Sequence, residues 1–412
     1  MLKVLIRVKR NNAFLGESVS TTKRVNMDQA AGKPVEPRAI EAMLPYMKSS
    51  YGNPSSLHAG GQEAKRGLEE ARTKIAELIN AERTESIIFT SGATESNNLA
   101  IKGVANRNKD RGTRIITSTI EHMSVINPVK FLTTKGFEAI FLPVDKFGTL
   151  NLENLEKELN DKTALVSIVY ANGEIGTIEP IREISKIVHD KNAYLHVDAT
   201  AAGGQIPIDV KSDGIDLLTL SSNDMYGPKG VSALYTKEGI RVEPLLHGGG
   251  QERGLRSGTE NLPGIVGFGK AAEISKQEML SNSESLTRLR DRLIAGLLEP
   301  LPYAFLNGHP TERLPDNVSV RYSFIEGESM LLSLDMMGVS ASSGSACTAK
   351  TLQPSHVLLA IGLKHEEAHG SLMFTLGEEN TQEEVDYVIR LMPGIVKRLR
   401  TISPLTPKEL KE

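Results

Sequence analysis

The sequence predicts an α/β protein with a large unit, a mostly parallel mixed sheet flanked by helices, and a smaller α+β unit. Three observations support this. Helix-period segments alternate with short, continuously apolar runs over most of the chain. Such runs are typical of strands buried on both faces of a parallel sheet. The pattern changes near Gly267, where a long charged helical region follows. The 412 residues are also long for one domain and comfortable for two.

The elements of the large unit follow from apolar spacing. Apolar residues at helical spacing over 40–47 and 68–79 predict two early helices. Helix-length segments such as Glu179–His189 separate most of the later apolar runs, which indicates parallel pairing. The predicted strands are Ile87–Thr90, Arg114–Ser118, Phe137–Pro143, Leu165–Tyr170, Tyr194–Val197, Leu217–Leu220 and Val231–Tyr235.

The smaller unit has its own series of elements. They are a helical region over 270–301, strand Asn317–Tyr322, helix Ser329–Met337, strand Ser371–Leu376 and helix Thr381–Leu399. We therefore divide the chain into four parts. These are an extension (1–26), an N-terminal segment that packs with the small domain (27–40), a large domain (41–275) and a small C-terminal domain (276–412).

Residues 1–26 differ in composition from the rest of the chain. They carry six Lys or Arg residues against one acid, Glu17, which is typical of transit peptides. Met27 offers a second start. We expect this extension to be either disordered or spurious, with little function.

The bulk composition excludes several classes of protein. A net charge of −3 gives no reason to expect binding to nucleic acid or to an anionic membrane surface. No apolar run approaches the roughly 20 residues that span a bilayer. The single cysteine excludes an internal disulfide framework, and also an all-cysteine metal site formed by this chain alone. We expect a cytoplasmic protein.

That cysteine, Cys347, lies in a run of small residues over 340–350. Small side chains and a glycine predict a solvent-accessible loop. A thiol there could be a nucleophile, a sulfur carrier or a metal ligand. It could equally be a buried small hydrophobe, because free cysteine is among the most buried residue types.

Three further stretches are candidates for a site. Ser91–Thr94 ends a strand and opens a helix, where backbone N–H groups could hold an anion, although an ordinary capping box is the commoner explanation. Asp198 ends an apolar strand and could pair with a cofactor ring nitrogen or cap a helix. His122 could stack on a ring or act as a base, although a lone histidine is more often structural.

A glycine-rich loop over 246–259 adds two arginines, Arg253 and Arg256. Flexible backbone and guanidinium groups suit phosphate or carboxylate binding. The loop matches no familiar nucleotide-binding pattern, so by itself it indicates little.

Taken in order, these stretches resemble the NifS/IscS-type cysteine desulfurases. The resemblance covers nearly the whole chain, from about Met27 to Leu405. The motifs that carry it are Tyr51–Ser56, Ser91–Ser96, Glu121–His122, Glu174–Gly176, His196–Thr200, Tyr226–Gly230, Gly248–Thr259 and Ser342–Cys347.

The resemblance implies a homodimeric fold-type I enzyme that uses pyridoxal 5′-phosphate (PLP) and L-cysteine. It implies that Asp198 pairs with the pyridine nitrogen and that His122 stacks on the ring. It implies phosphate contacts from Ala93, Thr94 and Ser221, and from Thr259 of the other subunit. Cys347 would take the substrate sulfur as a persulfide and carry it to an iron–sulfur scaffold protein of the IscU type.

The sequence also departs from the family pattern. Asp224 stands where the family has the lysine that holds PLP covalently, and Asn223 stands at the preceding histidine position. Met373 replaces the arginine that binds the substrate carboxylate. Further PLP contacts are lost at Asn172-Gly173 and at Ala201. A carboxylate cannot form an imine, so we expect any PLP to be held non-covalently, with Asn223 among the residues around it.

Two hypotheses follow from these departures. In the first, the protein is an active or weak cysteine desulfurase with non-covalent PLP. In the second, it is an inactive or weak homologue in iron–sulfur assembly, and Cys347 is a ligand of a [2Fe-2S] cluster shared with a scaffold protein. A different PLP enzyme, such as an aminotransferase, would suffer from the same missing lysine.

Overall fold

A computed structural model describes residues 24–343 and 354–410. In these residues the strands are β1 Val25–Asn26, β2 Ile87–Thr90, β3 Arg114–Ser118, β4 Glu138–Leu142, β5 Thr163–Val169, β6 Tyr194–Asp198, β7 Leu217–Ser221, β8 Ser232–Thr236, β9 Ala304–Leu306, β10 Asn317–Tyr322, β11 Val339–Ser340 and β12 Ser371–Thr375. The α-helices are α1 Pro37–Lys48, α2 Ala59–Leu78, α3 Ala93–Asn98, α4 Val104–Arg107, α5 Met123–Thr133, α6 Leu152–Glu158, α7 Ile181–Asp190, α8 Leu262–Leu298, α9 Gly327–Met336, α10 His356–Ala360, α11 His365–His369 and α12 Gln382–Ile402. A π-helical turn, Leu99–Gly103, joins α3 to α4.

The large sheet has seven strands in the order β2-β8-β7-β6-β5-β3-β4. Strands β4, β3, β5, β6 and β7 pair in parallel, whereas β8 is antiparallel to both of its neighbours. All seven predicted strands are present. The predicted α/β fold, with a mostly parallel mixed sheet flanked by helices and a smaller α+β unit, is confirmed.

Both faces of this sheet are buried, which explains the continuous apolar runs. Successive residues of a strand point to opposite faces. Ile116 and Val166 belong to the apolar cluster under α2 and α7, while their neighbours Ile115 and Leu165 belong to the cluster under α4 and α5. An alternating polar pattern would have left one face exposed to water.

The smaller unit is an antiparallel sheet in the order β12-β10-β9. Apolar residues from α8, α9 and α12 pack on it around Val318 and Phe374. The chain enters this unit early, because β1 pairs in parallel with β11 and the N–H of Thr375 donates to the carbonyl of Met27 at 2.8 Å. Strand β1 lies inside the range that the sequence assigned to the extension, whereas residues 1–23 lie outside the described residues.

Helix α8 connects the two units. It begins at Leu262, earlier than predicted, and the boundary drawn between 275 and 276 falls within it. Gly269 explains its close packing on α2, because a Cβ at this position would lie 2.5 Å from Cα of Ala71. Of the helices that the structure describes, none combines the length and the apolar character needed to cross a bilayer.

Candidate functional site

A buried carboxylate at the end of β6 forms the centre of the site. Asp198 is 3% exposed and is the last residue of its strand, at the edge where open α/β sheets bind ligands. Its Oδ1 accepts hydrogen bonds from the N–H and the hydroxyl of Thr200, at 3.1 and 2.6 Å. Its Oδ2 accepts from Nδ2 of Asn97 at 2.7 Å. In the described structure Asp198 is followed by turns, and no α-helix lies between β6 and β7. Asp198 therefore caps no helix.

A hydrogen-bonded chain joins this carboxylate to His122. Asn97 donates its amide to Oγ of Ser124 at 2.8 Å, and that oxygen lies 2.7 Å from Nδ1 of His122. The backbone N–H of Ser124 also donates to Nδ1, at 3.1 Å. Because Nδ1 accepts, the proton of the neutral ring lies on Nε2 and the hydroxyl of Ser124 donates to Nδ1. His122 also caps the N-terminus of α5.

The sequence analysis identified both ends of this chain and missed its two middle residues. Asn97 is fully buried on α3, one turn after the Ser91–Thr94 motif, and Ser124 opens α5. The available signal was their position, because Asn97 directly follows the Ser91–Ser96 motif and Ser124 lies two residues after His122. They were missed because neither residue belongs to a periodic pattern or to a charged pair.

The helix that follows β2 begins without a side-chain cap. Gly92 is its N-cap residue and has no side chain, so the first N–H groups, including those of Ala93 and Thr94, lack such a partner. Ser91 does not cap the helix. Instead its N–H donates to Oε2 of Glu95 at 2.8 Å. The local geometry is that of an open helix start and not of the ordinary Ser or Thr cap.

Asp224 lies in a short 3₁₀ turn after β7, where the family pattern has lysine. Burial raises the pKa of its carboxyl, and the negative charge of Asp198 acts in the same direction. The hydroxyl of Ser221 opposes that pKa shift by hydrogen bonding. In the same turn, Oδ1 of Asn223 is buried and accepts no hydrogen bond from the described residues.

The glycine-rich loop is fixed by a buried ion pair. The carboxylate of Glu252 binds the guanidinium of Arg72 through two 2.8 Å contacts and accepts from the N–H of Phe89 at 2.8 Å. Arg256 donates to Oε1 of Glu95 at 2.9 Å. Both predicted arginines are therefore engaged within the chain, since Arg253 donates to the carbonyl of Ile87.

The substrate side of the site lacks cationic and amide groups at the positions that the sequence analysis named. Met373 is a buried residue of β12, with no hydrogen-bond donor in its side chain. The amide of Asn172 is used locally, because Nδ2 donates to the carbonyl of Ile120 at 2.8 Å and Oδ1 accepts from Glu174 and Ile175. No side chain extends from Gly173.

Cys347 lies outside the described residues, and its predicted exposure stays a prediction. The chain before it is held to the small sheet, because Ser342 and Met373 exchange two backbone hydrogen bonds of 3.0 and 2.8 Å. The chain after it is held to the large unit, where Nε2 of His356 donates to the carbonyl of Glu121 at 2.9 Å. That carbonyl immediately precedes His122.

Two cavities divide the remaining predicted residues. Thr94, His122 and Ser124 line a cavity of about 420 Å³. Thr259 lies apart from it, in a cavity of about 130 Å³ that Ser91 also lines. Within the described chain, Thr94 and His122 therefore share one cavity, Asp198 is joined to His122 through Asn97 and Ser124, and Thr259 lines a separate cavity.

Comparison with known proteins places this geometry in a family. The model of the aminotransferase class-V family matches residues 25–388. The chain is 58% identical over 378 residues to cysteine desulfurase IscS 1 of Archaeoglobus fulgidus, covering 92% of this chain and 98% of the relative. It is 52% identical over 397 residues to cysteine desulfurase IscS of Methanosarcina thermophila, covering 96% and 98%.

Solved structures agree. A NifS-like protein superposes with a TM-score of 0.86 at 38% identity, covering 92% of this chain and 100% of that one. A cysteine desulfurase from Thermococcus onnurineus, described as an apo structure, has a TM-score of 0.81 at 27% identity, covering 91% and 95%. The resemblance to NifS/IscS-type cysteine desulfurases is confirmed, and the chain belongs to the aminotransferase class-V family.

Proposed function

We propose that the protein is a cysteine desulfurase-like component of iron–sulfur cluster assembly whose PLP, when bound, is not covalently attached. The names of its relatives support the desulfurase part of this proposal. The proposal that PLP is not covalently attached rests on Asp224, whose carboxyl group has no amine that could form an imine. The hydrogen-bonded chain Asp198–Asn97–Ser124–His122 is nevertheless present.

The residues present fit the phosphate group and the pyridine nitrogen of PLP. The uncapped start of α3 at Ala93 and Thr94, together with Ser221, suits its phosphate, and Asp198 suits the pyridine nitrogen. The orphaned Oδ1 of Asn223 leaves a buried acceptor for a donor group. Asp224 does not fit the aldehyde. When bound, PLP would supply an electron sink for bond breaking next to an amino-acid α-carbon.

The chain's own residues would bind and orient in this reaction. Asp198 would hold a protonated ring nitrogen, and His122 would lie against the ring with its proton on Nε2. The Cys347 thiolate would accept the sulfur of L-cysteine as a persulfide, leaving alanine, and pass it to an IscU-type scaffold protein. A homodimer, as in the family, would bring Thr259 of one subunit to the phosphate site of the other.

A second candidate function is favoured by Met373. Removing one partner of a buried, hydrogen-bonded charge pair costs about 2–5 kcal/mol of binding free energy, and the buried side chain of Met373 cannot supply the cationic partner for a substrate carboxylate. In this alternative the protein turns over cysteine weakly or not at all, and Cys347 is a ligand of a [2Fe-2S] cluster. The partner scaffold would bring the other ligands, because one thiolate cannot hold a cluster.

The absorption spectrum of the purified protein, with mass analysis for PLP and iron, tests the main proposal. We expect any bound PLP to be separated from the chain by gel filtration after denaturation. This separation should also be observed when the protein has first been treated with borohydride, because no imine is present to be reduced. Alanine release from cysteine under reductant, lost in Cys347→Ser, supports desulfurase activity. No alanine with added PLP, together with iron and sulfide retained with a scaffold protein and lost in Cys347→Ser, favours the second candidate.

A further inference from the structure

One cationic side chain lines the cavity of Thr94 and His122 and has no part in the proposed function. Lys102 is half-buried and contributes to the wall of this cavity of about 420 Å³. Among the residues that line it in the described chain, Lys102 is the only lysine or arginine, and none is an aspartate or a glutamate. The wall therefore carries a positive charge and no carboxylate that could neutralise it.

A π-helical turn places Lys102 on this wall. The turn, Leu99–Gly103, continues the helix that begins at Ala93. Thr94, near the start of that helix, and Lys102, in the turn, both line the cavity, so one face of the continuous helix forms this wall. Turns of this kind are uncommon inside helices and frequently occur at functional sites.

An aromatic ring orients the ammonium group of Lys102. Its Nζ lies 4.6 Å from the centre of the ring of Phe131, a residue of α5 that lines the same cavity. A cation at this distance from a ring is attracted to its face. The ring is uncharged, so the contact orients the ammonium group and does not neutralise it. Within the described part of the chain, no carboxylate pairs with Lys102 and its ammonium group donates no hydrogen bond.

The neighbouring cavity, which Thr259 lines, differs in this respect. Arg256 also lines that cavity, but it donates to Oε1 of Glu95 at 2.9 Å. The carboxylate of Glu252 on the same wall is bound to Arg72. The charges there are therefore compensated within the chain, whereas the charge of Lys102 is available to a bound anion.

The phosphate side of the proposed PLP site otherwise offers only uncharged groups. Ala93, Thr94, Ser221 and Thr259 of the other subunit carry no charge, and the turn after β7 contains no lysine or arginine. A phosphate monoester carries a charge of about −1.5 to −2 at pH 7. Hydrogen bonds from an ammonium group to such an anion are roughly twice as strong as those between neutral groups.

We propose that Lys102 is a further phosphate-binding residue, whose ammonium group pairs with a phosphate group bound in the cavity that Thr94 and His122 line. Its assignment to the phosphate of PLP rests on the proposed function. A free phosphate ion would offer the same chemistry, so the two sources need separate tests. Lys102 binds the anion and takes no part in bond breaking.

Ligand binding to the full-length protein tests this role. Pyridoxine 5′-phosphate is a suitable probe, because it has the ring and the phosphate of PLP but an alcohol in place of the aldehyde, and it cannot form an imine with a lysine. In equilibrium dialysis we expect Lys102→Met to raise its dissociation constant about 10-fold or more, since a hydrogen bond to a charged group is lost. Lys102→Arg keeps the charge and should keep most of the affinity.

Lys135→Met is the matched control. Nζ of Lys135 lies 5.5 Å from the centre of the same Phe131 ring, but Lys135 is exposed and does not line the cavity. This variant should bind the probe as wild type does. If Lys102→Met proves unstable, Lys102→Gln, which also removes the charge, takes its place. Wild-type affinity in the folded charge-removing variant, or an equal loss in Lys135→Met, would overturn the proposal.

Inorganic phosphate separates this inference from the proposed function. Phosphate that binds the folded protein raises its thermal unfolding midpoint, relative to chloride at equal ionic strength. We expect this rise in wild type and Lys135→Met and not in Lys102→Met. If that pattern holds while wild type binds no pyridoxine 5′-phosphate, Lys102 binds free phosphate and the PLP part of the proposed function fails. Wild type that responds to neither ligand would overturn both.

Discussion

Asn97 and Asp198 are joined by a 2.7 Å hydrogen bond between the amide of α3 and the carboxylate that ends β6. The second amide hydrogen of Asn97 reaches Ser124, so one buried side chain orients both the proposed ring-nitrogen partner and, through Ser124, His122. Neither terminal residue needs to contact the other for their positions to be coupled.

Asn97→Ala should therefore destabilise the fold by about 1–3 kcal/mol, because the carboxylate and the hydroxyl both lose a buried donor. PLP retention should fall as well. Urea unfolding and PLP content after dialysis measure the two effects. Asn98→Ala is the matched control, because Asn98 donates to the carbonyl of Thr94 within its own helix. If Asn97→Ala loses less stability than the control, the role of Asn97 in orienting both Asp198 and Ser124 is contradicted.

Three buried glutamates predict that stability falls as pH rises. Burial raises the pKa of Glu121, Glu174 and Glu179 to about 8 each. A carboxyl with a raised folded pKa contributes stability that is present below its unfolded value, about 4.5, and lost as pH rises toward 8. We expect the urea midpoint to fall between pH 5 and pH 8.

Glu179→Gln should reduce the decrease in the free energy of unfolding between pH 5 and pH 8 by about 1 kcal/mol or more. Glutamine cannot ionise, and its amide oxygen can still accept the N–H of Leu150. Glu183→Gln, an exposed change on α7, is the control and should leave the slope unchanged. An unaltered slope in Glu179→Gln would show that this carboxyl is not protonated in the folded protein.

Asp224→Lys tests the register on which the site assignment depends. If position 224 is the PLP-attachment position, this variant should acquire PLP that borohydride fixes to residue 224, detected by peptide mass. Asp224→Asn supplies no amine and should give no fixed coenzyme. If folded Asp224→Lys protein gives no borohydride-stable adduct in the presence of excess PLP, the alignment of position 224 with the PLP-attachment position is contradicted.

Removing the anchor of the glycine-rich loop should be costly. The side chains of Glu252 and Arg72 are each 3% exposed. Removing one partner of such a pair lowers the free energy of unfolding by about 3–5 kcal/mol, because the other charge stays buried without compensation. Glu252→Ala should lose that much in urea unfolding. Glu69→Ala removes the exposed partner of the same arginine and should lose at most about 1 kcal/mol. Similar losses from the two variants would contradict the buried-anchor assignment.

The large sheet was predictable because both its faces are covered, so each strand is a continuous apolar run. Short elements were not predictable. Strand β9 has three residues, and β1 and β11 have two each, too few for any period to show. The start of α8 was placed too late because Gly264, Gly267 and Gly269 are typical of a loop. These glycines instead permit contacts such as that of Gly267 with Met43.

The site was predictable where a motif carries it and unpredictable where packing creates it. Asp198 ends one strand of the sheet and His122 follows another, and that order along the chain predicts their positions. Lys33 lies far from Tyr226 in sequence, in a stretch without a motif, and only the folded chain brings its Nζ to within 4.9 Å of the centre of the Tyr226 ring. Long-range pairing of this kind leaves no local pattern.

Helix α8 has 37 residues, and a helix of that length extends about 55 Å. Its only proline is at the N-terminal turn, and Gly269 lies against the backbone of α2. The small sheet is packed on the far half of the same rod. One continuous helix thus packs on α2 near its start and on the small sheet near its end, so a movement of the small sheet relative to α2 would require α8 to bend or its packing to shift.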